Sequence, residues 1–196
     1  MGRFSRYSGL AAVVVGLLLA IVLSAPAQAL TVKGGDSAHR NAVFSVLCSR
    51  PDLLGYVEGA YPDFTVNICY GGHAWKGSID VSMAKSGRAF TDQVAHEFCH
   101  EVQIAIDARW HRGLVPVNSD DWKTLLTSRG YGESTWSWDN RAPLLGRRNP
   151  WEAFAEDMKC AFYAPRFLVS SSPNTYLAKV SEKDMVCFLK RFELDL

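Results

Sequence analysis

Two histidines four residues apart, His96 and His100, stand in the segment "HEFCH", with Glu97 directly after the first. On an α-helix, residues i and i+4 lie on one face, so both imidazole rings can bind one metal ion. Glu97 lies about 100° further around the helix, where its carboxylate can reach a water beside the metal without binding the metal. Zinc lowers the pKa of a bound water to about 7, and a carboxylate can accept the proton as the water attacks a carbonyl group. The motif therefore predicts a catalytic zinc site, the alternative being ordinary polar residues on a helix surface.

A catalytic zinc needs a third protein ligand. In "NPWEAFAEDM", Glu152 and Glu156 are four residues apart on a predicted helix and share a face. One is predicted to bind the metal, and the other to accept a hydrogen bond from the second ring nitrogen of a ligand histidine. Glu152 also stands three residues after Asn149, where a capping-box glutamate stands, so a helix cap is its alternative. His111 is a second candidate ligand, with a cation at a helix C-terminus as its alternative role.

The elements around these motifs follow from periodicity and capping signals. Helices are predicted over 36–50, from the segment after "SGRAFTDQ" to about 110, after 119, over 149–163 and from 181 to the C-terminus. Asp36 or Ser37 is the expected cap of the first helix, and Ser181 with Asp184 forms a capping box for the last. Positions 63–70 and 77–83 alternate as strands, with "GGHAWKG" as the turn region between them. Positions 130–148 have the composition of an irregular loop. The order predicts an α+β domain with a small sheet packed on helices.

Together, "HEFCH" and the downstream "EAFAE" resemble the gluzincins, zinc peptidases of the thermolysin type, and in particular the catalytic domain of anthrax lethal factor and small secreted bacterial domains related to it. The resemblance implies His96, His100 and Glu152 as zinc ligands, Glu97 as general base, and Glu156 as the partner of a ligand histidine. It implies a zincin-like fold: a small, mostly antiparallel sheet packed on an active-site helix, with a helical C-terminal part.

Gluzincins also use a tyrosine or histidine to stabilise the oxyanion of the reaction. Tyr131 is the candidate here by its order in the chain, with a loop aromatic that covers the core as its alternative. The resemblance has departures: Trp151 stands where thermolysin has asparagine, and Glu156 stands where it has aspartate. These differences leave the substrate of this chain open.

The N-terminal segment 1–29 reads as a secretory signal peptide. Arg3 and Arg6 precede an apolar stretch, and "AQA" ends at Ala29, a small-residue cleavage site. Cleavage would leave one metallopeptidase domain over 30–196 and would lower the formal charge from +1 to −1, which gives no support for nucleic-acid binding. The protein is therefore expected to be secreted or extracytoplasmic and monomeric, with no membrane association after cleavage. An uncleaved membrane anchor is the alternative.

Five cysteines follow the signal segment. In an exported protein disulfides are expected, and the predicted pairs are Cys48–Cys69 and Cys160–Cys187. Cys99, inside the histidine motif, is predicted to be a free thiol that serves as a small buried apolar residue.

These observations predict a secreted zinc metallopeptidase that hydrolyses peptide or protein substrates. The alternative is an extracellular binding or toxin-type protein of the same fold, with a structural zinc and little or no turnover. Glu97 favours the enzyme, because a structural zinc site needs no base.

Overall fold

A computed structural model describes residues 30–111, 150–163, 166–167 and 181–194. Within these residues the chain forms five α-helices and one four-stranded sheet. In chain order, the elements are β1 (Thr31–Gly34), α1 (Ser37–Leu47), α2 (Pro51–Ala60), β2 (Thr65–Cys69), β3 (His73–Trp75), β4 (Ser78–Ser82), α3 (Gly87–Ile106), α4 (Pro150–Tyr163) and α5 (Glu182–Leu189). A π-helical turn, Asp107–His111, extends α3, and a 3-10 turn, Lys190–Phe192, extends α5. The α+β class is confirmed.

The sheet is mixed, in the order β1-β2-β4-β3. The strand pairs β1–β2 and β2–β4 are parallel, and only β3–β4 is antiparallel. The prediction of a mostly antiparallel sheet is therefore wrong. The two predicted strands do pair, as β2 and β4, but the expected turn between them contains β3. Because β3 runs back along the far side of β4, the chain enters β4 in the same direction as β2.

The helix starts follow local capping chemistry. The side chain of Asp36 accepts a hydrogen bond from the backbone N–H of His39 at 2.9 Å, as expected for the cap of α1. Ser181 accepts from the backbone N–H of Asp184 at 3.2 Å, which confirms the predicted cap of α5. Helix α2 was not predicted; Pro51 occupies its first turn, a position that tolerates the missing N–H.

Helix α3 lies at the centre of the domain and is buried over most of its length. One apolar face of α3 packs into the core, where five of its residues are inaccessible to solvent: Ala95, Phe98, Cys99, Val102 and Ile106. The alternate positions of β2 and β4 that face the core are buried as well, namely Val66, Ile68, Ile79 and Val81. This packing leaves the polar residues of α3 in a largely desolvated environment, where they need polar partners.

Helix α4 packs against α3. Its apolar residues Phe154, Ala155 and Met158 are fully buried in the same core as Phe98 and Val102 of α3. That contact fixes the rotation of α4 and brings its glutamates toward the histidines of α3.

All five cysteines are described and all are free thiols, so neither expected disulfide is formed. Cys48 and Cys187 are exposed, whereas Cys69 and Cys160 are half-buried. Cysteines on neighbouring elements need not have side chains that face each other. The side chain of Cys187 lies on the solvent-exposed side of α5. Cys99 is free and fully buried, as predicted. Among the described helices, none combines the length and apolar character that crossing a membrane requires.

Candidate metal centre

Three side chains from two helices converge at the contact between α3 and α4. The Nε2 atoms of His96 and His100 are 3.1 Å apart. Glu152, in the first turn of α4, places Oε2 3.2 Å from Nε2 of His96 and 3.6 Å from Nε2 of His100. The predicted ligand set is thus brought together, and these three residues could hold a metal ion. Their role as ligands stays a prediction.

The second ring nitrogen of His96 faces Glu156. Nδ1 of His96 and Oε1 of Glu156 are 2.6 Å apart. A carboxylate at Nδ1 holds a proton there and leaves the lone pair of Nε2 free to bind a metal. The contact predicted for Glu156 with a ligand histidine is therefore present in the structure.

Behind Glu156 lies a buried lysine. Lys159 is 5% exposed, and its Nζ donates to Oε1 of Glu156 at 2.8 Å. The same Nζ is 3.1 Å from Oδ1 of Asp92, one helical turn before His96 on α3. Lys159 therefore links the two helices and balances the charge of the carboxylate that contacts His96.

The ring of His100 is held on two sides. Its Nδ1 lies 3.3 Å from the side-chain oxygen of Gln103. The indole of Trp151 stacks on the imidazole, with ring centroids 5.4 Å apart and an interplanar angle of 21°. Its remaining nitrogen, Nε2, faces His96 and Glu152.

Glu97 lies between the histidine motif and the start of β3, close to Gly72. Its side chain is almost completely buried, and a Cβ built on Gly72 would lie 3.1 Å from its Oε1. Gly72 therefore lets the backbone approach the carboxylate closely. Burial raises the pKa of Glu97 above its usual range, a direction that agrees with its predicted role as general base.

One helical turn later, Glu101 holds the other end of β3. Its Oε1 accepts a hydrogen bond from the backbone N–H of Gly77 at 2.6 Å. Gly77 has φ +83°, a conformation that favours glycine in the turn between β3 and β4. Two glutamates of α3 thus flank β3, an edge strand of the sheet.

The electrostatics of the group favour a cation between the ligand atoms. Burial lowers the pKa of His96, but its hydrogen bonds to Glu152 and Glu156 outweigh that effect and raise the pKa to about 9. Burial raises the pKa of Glu152, but hydrogen bonds from His100 and His96 hold it well below its usual range. A proton on His96 occupies the lone pair that a metal would use, so protons and metal compete for this group.

Several predicted site residues cannot be compared with the structure. Tyr131 lies outside the described residues, as does Asn149, the alternative capping partner of Glu152. The side chain of His111 is also outside the described part. Conversely, the sequence analysis did not identify Gln103, Lys159 and Asp92 as site residues. Asp92 stands four residues before His96 and Gln103 three residues after His100, so each shares a helix face with one histidine. That spacing is the signal that could have identified these two residues.

Comparisons with models of protein families, with curated proteins and with solved structures found no match.

Proposed function

We propose that this protein is a zinc-dependent metallopeptidase of the gluzincin type, with His96, His100 and Glu152 as its zinc ligands. The observation that carries the proposal is the mutual spacing of three atoms, at 3.1, 3.2 and 3.6 Å. Nitrogen and oxygen ligands lie about 2.0–2.2 Å from zinc, and at tetrahedral angles this places them about 3.3–3.6 Å apart. The donor atoms need only small shifts to fit this geometry.

The donor set favours zinc over harder cations. Two imidazole nitrogens with one carboxylate suit zinc, whereas magnesium and calcium take oxygen ligands. Three protein ligands are also the number found in catalytic zinc sites, which keep a position for water or substrate. Glu152 is 39% exposed, so this group is open to solvent on the side of α4.

When bound, zinc would polarise the substrate carbonyl and lower the pKa of the attacking water. Glu97 accepts a proton from that water as the new C–O bond forms at the peptide carbonyl carbon. It then gives this proton to the departing amine as the C–N bond breaks, so no proton is gained or lost. Glu156 holds the proton of His96 on Nδ1, which leaves Nε2 free for the metal.

The remaining parts of the proposal concern the setting of the site. A zincin-like fold is supported by the helix that carries the histidine motif, packed against both the sheet and a second helix that carries the glutamate motif. Export is supported by the N-terminal segment 1–29, with 30–196 as the peptidase domain. Peptides or proteins are the proposed substrates.

The proposal is tested by metal content and peptide cleavage in the purified protein and in Glu97→Gln. We expect one zinc per chain in both proteins, and cleavage of a broad peptide library only by the wild type. The variant keeps the size and hydrogen-bonding capacity of residue 97 but cannot accept the proton. One zinc per chain without cleavage by either protein would contradict the enzymatic proposal and favour the extracellular binding protein.

A further inference from the structure

Gln103 occupies an unusual position on α3. It is completely buried, and it lies almost one helical turn after His100. Its Oε1 faces Nδ1 of His100 at 3.3 Å, while its Nε2 is buried without a hydrogen-bond partner in the described part of the chain. A buried amide with an unpaired N–H group costs free energy relative to an apolar side chain of the same size.

This arrangement is difficult to explain as a contribution to stability. Methionine has nearly the same length and volume as glutamine, and it would fill the site without an unpaired amide group of its own. What methionine cannot supply is the oxygen at Nδ1 of His100. The contact with His100 therefore explains why position 103 carries a glutamine.

We propose that Gln103 is the positioning residue of His100. Its Oε1 accepts the Nδ1–H proton, which fixes the neutral tautomer with its Nε2 lone pair directed toward His96 and Glu152. Trp151 fixes the plane of the same ring by stacking. This inference rests on the proposed zinc site, and it assigns to His100 the support that Glu156 gives to His96.

The two ligand histidines are thus held by different acceptors, a carboxylate for His96 and a neutral amide for His100. Glu97, Glu152 and Glu156 already bring three carboxylates to this region. A glutamate at position 103 would be a stronger acceptor and would add a further negative charge close to the metal. Both effects favour binding of a divalent cation, so neither predicts a loss of zinc affinity.

The test compares zinc affinity, measured by competition with a chromophoric chelator, in the wild type and in Gln103→Met, Gln103→Asn and Gln103→Glu. Gln103→Met removes the acceptor, and Gln103→Asn keeps the amide but withdraws its oxygen by one methylene. We expect zinc to bind about tenfold more weakly to both. Gln103→Glu is expected to bind zinc as tightly as the wild type or more tightly.

Gln93→Met is the matched control. Gln93 is a buried glutamine of the same helix, and its side-chain oxygen accepts a hydrogen bond from the backbone N–H of Ser82 at 3.2 Å, at the end of β4. This variant is expected to lower the melting temperature of the metal-free protein and to keep the zinc affinity within about twofold of the wild type. Gln103→Met should show the reverse pattern. Its metal-free melting temperature should stay unchanged, because the Nδ1–H of His100 replaces the Nε2–H of Gln103 as the unpaired donor. Its stabilisation by zinc should be smaller. A tenfold loss of affinity corresponds to about 1.4 kcal/mol less stabilisation at saturating zinc.

Cobalt substitution gives a second readout, since the visible d–d bands respond to the geometry of the ligands. We expect these bands to shift in Gln103→Met and Gln103→Asn and to stay unchanged in Gln93→Met. Zinc binding by Gln103→Met and Gln103→Asn within twofold of the wild type, with unchanged cobalt bands, would overturn the role of Gln103 and leave the proposed zinc site intact. Failure of the wild type to bind zinc would instead overturn the proposed function, and this inference with it.

Discussion

Replacing Lys159 by methionine tests the charged network behind the candidate metal centre. Lys159 is 5% exposed and contacts Oε1 of Glu156 at 2.8 Å and Oδ1 of Asp92 at 3.1 Å. Burial lowers the pKa of Lys159, but the two carboxylates outweigh that effect and raise it, so the ammonium stays charged. Removing it takes one of two cationic partners from the buried Glu156, since Nδ1 of His96 still faces its Oε1. Breaking a buried ion pair on one side costs about 3–5 kcal/mol. We expect the lower end, about 3 kcal/mol, because Asp92 is 25% exposed and His96 stays beside Glu156.

The assay is thermal and urea unfolding in excess chelator, which removes any contribution from bound metal. For a chain of this size, a loss of about 3 kcal/mol lowers the melting temperature by roughly 6–12 °C. Lys183→Met is the matched control: Lys183 is exposed on α5, and its loss should change the unfolding free energy by less than about 0.5 kcal/mol. Asp92→Asn should cost less than Lys159→Met, because it leaves the pair with Glu156 in place. A change below about 1 kcal/mol for Lys159→Met would refute the argument that this network is desolvated and paired.

Two further predictions concern other parts of the domain. Gly72→Ala would place a methyl group in steric conflict with Nε2 of Gln93 and 3.1 Å from Oε1 of Glu97, so both side chains would have to shift. We expect peptide cleavage to fall about tenfold or more with zinc content unchanged, since small misplacements at a reacting group carry such costs. Normal cleavage would contradict this close approach. The second concerns pH: the Lys85 carbonyl and the Asp36 carboxylate, each facing a ring nitrogen of His39, raise its pKa. A raised pKa means that His39 stabilises the fold fully below its ordinary pKa of about 6.5 and loses this effect as pH rises through the raised value. The difference in unfolding free energy between the wild type and His39→Gln should therefore shrink between pH 5.5 and 8.5, and a difference that stays constant would contradict it.

The predicted site follows from short-range rules, which is why the sequence was informative there. Helical spacing alone places His96 beside His100, and Glu152 beside Glu156. The capping of α1 and α5 is equally local, since Asp36 and Ser181 need only the backbone of their own helix.

The sheet depends on pairing between strands that are distant in the sequence, which local sequence patterns do not predict. Strands β1 and β3 have four and three residues, too few for a clear alternation of apolar and polar positions. Without β3, the segments that form β2 and β4 have the pattern of a hairpin, which predicts antiparallel pairing. That prediction was wrong, because the two strands pair in parallel. The disulfide pairing failed for a related reason, because it requires the relative orientation of side chains on separate elements.

Lys159 and Gln103 show a further limit. Lysine and glutamine within a helix are usually solvent-exposed, so their types give no signal of burial. Both are buried only because α3 and α4 pack together beside the sheet, and their roles depend on that contact. The candidate metal ligands and Glu156 could be predicted from their chemistry and helical spacing, whereas Lys159 and Gln103 were recognised only from the structure.

The central claim is that side chains of α3 and α4 share one zinc ion. Anomalous diffraction collected on both sides of the zinc absorption edge, from crystals of the zinc-loaded protein, tests it directly. The account predicts a single strong zinc peak about 2.0–2.2 Å from Nε2 of His96, Nε2 of His100 and a carboxylate oxygen of Glu152. A peak bound by Glu156 or His111 in place of Glu152, or no peak between the two histidines, would contradict it.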